Sequence, residues 1–114
     1  MAGGMPDGVP DWRAERPALA GVAVCDGLLP WTRPFLPAGA DLGDYLGRAH
    51  RAGYDHVSLT VAAAAEDAGQ ALSTLGWLRA QLRAAGIPVA HHRAAIEAAR
   101  AAGRLSVSFH FQTA

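Results

Sequence analysis

Two stretches of strict period-two alternation, separated by segments of helical periodicity, limit what this chain can become. Residues 105–114 read Leu-Ser-Val-Ser-Phe-His-Phe-Gln-Thr-Ala, so Ser106, Ser108, His110 and Gln112 share one face and the apolar residues the other. Residues 55–61 repeat the arrangement, with Val57, Leu59 and Val61 on one face and His56, Ser58 and Thr60 opposite. Successive side chains of an extended backbone point to opposite sides, so each stretch reads as a strand with one apolar and one small polar face. Strands separated by helices pair in parallel through right-handed crossovers, which collects their carboxyl ends at one edge. The fold class expected is therefore α/β, with about three parallel strands and crossover helices.

The remaining elements follow from local signals. The apolar run Leu-Ala-Gly-Val-Ala-Val-Cys at 19–25 reads as a short buried first strand that ends at Asp26-Gly27. Pro30, Pro34 and Pro37 punctuate a loop carrying Trp31 and Phe35. Asp41 offers a helix N-cap, Leu42, Tyr45, Leu46 and Ala49 form an apolar stripe to about Ala52, and Gly53 supplies a left-handed end. After the second strand, Leu72, Leu75, Leu78 and Leu82 mark a long helix that Gly86 stops and Ile87-Pro88 breaks. A third helix, from about His92 to Ala102, turns Ala95, Ile96 and Ala99 inward and closes at Gly103. Residues 1–18 are dense in Gly and Pro and read as a mobile N-terminal tail, with residues 19–114 as the domain; Trp12 is expected to pack back onto the domain surface.

Composition narrows the partners. A hydrophobic content of 51% over 114 residues is enough to bury a core. The 10 basic residues, all Arg, cancel the 10 acidic ones, so neither nucleic acid nor an anionic membrane surface is an expected partner. The lone Cys25 has no partner for a disulfide and reads as a small buried hydrophobe, and no Cys/His spacing matches a zinc finger. No apolar stretch near the start is long enough to span a bilayer and no export signal precedes the domain, so the expected location is cytoplasmic.

Ligands of α/β folds bind beyond the carboxyl ends of the strands. The residues expected at that rim are Cys25, Asp26, the loop through Trp31, Thr60, His110 and Gln112, with Asp26, His110 and Gln112 as the ligand-binding candidates. Asp26 has two readings, a rim residue or a turn-former ahead of Gly27. His91-His92 reads as a helix start, His50 as a partner of a helix C-terminus, and His56 as a structural residue at the strand end away from the rim. The polar strand faces suit a barrel interior better than a sheet covered by helices on both sides. A chain that closes on a strand would continue into another crossover, so it reads as the opening segment of a larger barrel with open strand edges available for self-association.

The segment Val24-Cys25-Asp26-Gly27-Leu28-Leu29-Pro30-Trp31 is followed by a helix ending His50-Arg51-Ala52-Gly53 and the strand His56-Val57-Ser58-Leu59-Thr60-Val61. A long helix with Trp77 comes next, and then Ile96-Glu97-Ala98-Ala99-Arg100-Ala101-Ala102-Gly103-Arg104 before the last strand. In that order the segments resemble the start of the membrane (renal) dipeptidase family, zinc metallopeptidases of the amidohydrolase superfamily, over roughly residues 20–114. The resemblance implies the N-terminal portion of a (β/α)₈ barrel, a dipeptide substrate, and amide hydrolysis by a metal-bound hydroxide. Where the family's first strand ends in Asp-Gly-His-Asn-Asp-Leu-Pro-Trp, this chain runs from Asp26-Gly27 directly to Leu28-Leu29-Pro30-Trp31, without the metal-binding His and Asp. Gln112 stands where a bridging Glu is usual. No metal ligand and no catalytic residue is assigned to this chain, and its alternative role is a non-catalytic binding module on the same scaffold.

Overall fold

The computed structural model describes residues 11–31, 33 and 35–112. A short helix α1 (Trp12–Glu15) and a 3₁₀ turn at Pro17–Leu19 precede strand β1 (Cys25–Leu29). Then come helix α2 (Leu42–Arg51), strand β2 (His56–Ala62), helices α3 (Ala68–Ala85) and α4 (Arg93–Ala101), and strand β3 (Ser106–Phe111). The three strands form one sheet in the order β1-β2-β3, and both pairings are parallel. The α/β class expected from the alternation is the class observed.

Helix boundaries follow the capping chemistry. The Asp41 carboxylate accepts from the Gly43 and Asp44 amides at 2.7 and 3.4 Å, satisfying donors that the first turn of α2 leaves without a carbonyl. Asp67 and Gln70 form a reciprocal capping box at α3, each side chain bonding the other's backbone amide at 2.8 Å. Gly86 ends that helix in the left-handed region at φ 69°. At α4 the His92 ring is the N-cap, its Nδ1 accepting from the Ala95 amide at 3.3 Å.

One sheet face is packed and apolar. Val57, Leu59 and Val61 of β2 and Val107 of β3 meet Leu42 and Leu46 of α2 and Leu78 and Leu82 of α3 in the core. Of the four leucines expected on α3, Leu72 is 71% exposed and its place is taken by Ala71, with Thr74 the next buried position. A residue one step along a helix is rotated by about 100°, which moves Leu72 off the stripe that 71, 74, 78 and 82 share.

The first strand is displaced from its expected place. Residues 19–25 do not form a buried strand: Pro17–Leu19 is a 3₁₀ turn, Val22 is exposed, and the strand begins at Cys25 and runs through Asp26-Gly27 instead of ending there. Register with β2 sets this position. Val24 O accepts from the Asp55 amide at 2.8 Å, Cys25 pairs with His56, and Asp26 with Val57. The Asp55 carboxylate fixes the same point, its Oδ2 accepting from Val24 N at 2.8 Å and from Arg13 Nη2 at 2.9 Å, with Arg100 Nε of α4 paired at 3.4 Å. Cys25, expected in the core, is exposed at the start of this edge strand.

One further feature escaped the local signals, and the packing of Trp12 onto the domain surface is as expected. Residues 88–90 add a parallel rung to the outer edge of β3, where Val107 N bonds Pro88 O at 3.0 Å and Ala90 N bonds Val107 O at 2.8 Å. Trp12 of α1 donates its indole N–H to Ala52 O at 2.9 Å and lies over Gly53, whose φ of 111° no side chain favours and whose missing Cβ makes room for the indole.

Candidate functional site

The polar sheet face carries a ladder of imidazoles and hydroxyls. In the β2–β3 register His56 lies opposite Ser106, Ser58 opposite Ser108, and Thr60 opposite His110. The sequences His-x-Ser-x-Thr and Ser-x-Ser-x-His thereby place a histidine at each end, and each ring bridges two hydroxyls of the neighbouring strand. His56 Nδ1 meets Ser106 Oγ at 2.7 Å and its Nε2 meets Ser108 Oγ at 2.9 Å. His110 Nδ1 meets Ser58 Oγ and its Nε2 meets Thr60 Oγ1, both at 2.9 Å.

The hydroxyl partners set the direction of one bond. Thr60 Oγ1 has a single proton, directed at Leu29 O at 3.4 Å or at Gln112 Oε1 at 3.5 Å. It therefore accepts from His110 Nε2. Both ring nitrogens of His110 are thus engaged by hydroxyls. Burial lowers the pKa of His56 from its ordinary value, because removing water penalises the imidazolium more than the neutral ring.

Accessibility increases toward the carboxyl end. Thr60 and Ser106 are fully buried, His56 and Ser58 nearly so, and Ser108, His110 and Gln112 are half-buried. Gln112 follows β3 directly, its amide N–H donating to Ala62 O at 2.9 Å. Beyond the ends of β2 and β3 a cavity of about 160 Å³ opens between Gln112, Phe111, Ala62 and the start of α3 at Glu66 and Asp67.

Of the three expected ligand-binding residues, the fold brings two together. His110 and Gln112 share Thr60 at the carboxyl rim. Asp26 is not with them: its pairing with Val57 puts it near the amino end of β2 and on the helix-packed face. There it turns the chain, Oδ1 accepting from Leu28 N at 2.9 Å. Period two along one strand places His110 and Gln112 together, whereas the face of Asp26 depends on register with another strand, which no local signal carries. The role of His56 in the ladder was missed; the signal for it was the reversed order of histidine and hydroxyls in the two strands.

The donor set does not suit zinc. The resemblance implies that metal, but both ring nitrogens of His110 are held by hydroxyls, Gln112 offers a neutral amide, and Asp26 lies on the other face. Among the described residues no three His, Cys, Asp or Glu side chains converge as a metal site. What the rim provides is hydrogen bonding, from a primary amide and a half-buried serine. A buried Thr60 hydroxyl has no room to attack a substrate.

Fold and face together define an α/β protein whose parallel sheet is packed by helices on one side and carries an ordered polar ladder on the other. The chain matches no protein-family model, no curated protein and no solved structure. Among the described residues no helix is long and apolar enough to cross a membrane.

Proposed function

We propose that this chain is the opening part of a (β/α)₈-barrel hydrolase related to the membrane dipeptidases, and that its contribution is to hold a small peptide at the carboxyl rim of the sheet. The observation that carries this reading is the convergence of Thr60, His110 and Gln112 at the carboxyl ends of two parallel strands, on the face turned away from α2 and α3. In barrels that face is the interior and that end is the site of chemistry. The Gln112 amide suits the carbonyl and carboxylate oxygens of a dipeptide. Chemistry at the scissile bond is assigned to groups other than these residues. A reducing cytoplasm suits the exposed, unpaired Cys25.

A second reading, a non-catalytic binding module, is favoured by the saturation of every ring nitrogen in the ladder. Titrating the full chain with L-alanyl-L-alanine while recording nuclear magnetic resonance spectra tests both. Shifts confined to Thr60, His110 and Gln112 are expected, and spectra unmoved at millimolar dipeptide would end the rim reading. Cleavage in zinc-supplemented buffer would exclude the second reading, whereas binding without cleavage is expected under both, since chemistry is assigned to groups other than these residues.

A further inference from the structure

A second concavity lies on the opposite side of the sheet. Between β1 and α2 a groove of about 390 Å³ is lined by Trp31, Tyr45, Tyr54, Leu29 and Val57, a volume within the range of small-molecule sites. Its walls are mainly apolar and aromatic, with Trp31 set edge-on to Tyr45 at a centroid distance of 5.4 Å and an interplanar angle of 72°. Two charged groups interrupt them, one from each wall: Asp26 from the strand and Arg48 from the helix. Among the described residues they form no ion pair with each other; Arg48 lies over the Tyr45 ring at 5.7 Å, and Asp26 is engaged through Oδ1 with Leu28 N.

We infer that this groove is a binding site for a small zwitterion with an apolar body, an aromatic α-amino acid being the class that fits. Opposite charges facing one aromatic cavity without neutralising each other complement a ligand that carries both. The ammonium group meets Asp26 and is favoured over the ring faces, the carboxylate meets the Arg48 fork, and the side chain fills the space beside Trp31 and Tyr54. The site is separate from the rim ladder and does not depend on the hydrolase reading.

Calorimetric titration of the full chain with L-phenylalanine, 3-phenylpropionate and phenethylamine reads each charge without any mutation. L-Phenylalanine is expected to bind at least about tenfold more tightly than either singly charged analogue, as charge-assisted contacts to both ends require. Asp26→Asn keeps the acceptor for Leu28 N and should weaken L-phenylalanine about tenfold while leaving 3-phenylpropionate unchanged. Arg48→Met keeps the apolar stem and should do the same with phenethylamine as the unaffected ligand. Equal affinity for all three compounds, or no heat with L-phenylalanine, overturns the inference.

Discussion

His56 is a polar ring among nearly buried neighbours, and its consequence is a pH dependence of stability. Its folded pKa lies below the ordinary value of 6.5, so the unfolded chain binds protons more readily than the folded one as pH falls through that value. Its neutral form therefore contributes fully above pH 6.5, and stability drops as pH falls from there toward the folded pKa. Urea midpoints at about pH 7.5 and about pH 5.5 should differ in the native chain, and His56→Gln, which keeps polar groups for Ser106 and Ser108, should reduce the difference. An unchanged difference would assign the pH response to other groups. At this scale the sequence was partly legible. His110 and Gln112 lie together at the rim because two residues along one strand suffice to place them; Asp26 takes the turn-forming reading instead of the rim one, and Cys25 is exposed instead of buried, because their faces and burial depend on which residues of β2 they meet.

Elements whose ends are written in side chains were read nearly to the residue. Asp41, Gly53, Gly86 and Gly103 bound α2, α3 and α4 as expected, since caps act within a turn of their own position. The capping box of α3 invites a measurement: Asp67→Ala should destabilise the chain by about 1 kcal/mol, seen as a lower urea midpoint with unchanged slope. A neutral result would mean that tertiary packing alone holds that end. β1 shows the opposite case. The apolar run at 19–25 is a fair local strand signal, yet pairing begins only at its last two residues, where Val24 and Cys25 meet Asp55 and His56, and continues to Leu29. The rung at residues 88–90 escaped for the same reason, being too short to carry a period of its own and visible only through its bonds to Val107.

For the whole molecule, layering matters more than any single element. Helices α2 and α3 cover one sheet face, the ladder organises the other, and β1 stands as an edge with Leu28 54% exposed. Unpaired strand edges with apolar side chains recruit further strands. Sedimentation velocity is expected to show concentration-dependent association of the chain, and Leu28→Lys to suppress it by placing a charge on that edge. Association that persists unchanged in the variant would point to another surface.

Asp55 ties these scales together. One carboxylate holds the residue before β1, the Arg13 side chain of α1 and the Arg100 side chain of α4. Segments 42 and 45 positions away from it in sequence, at Arg13 and Arg100, are thus moored to a single post. Hydrogen exchange should find α1, the approach to β1 and the end of α4 opening as one cooperative unit, because whatever lets go of that oxygen releases all of them at once.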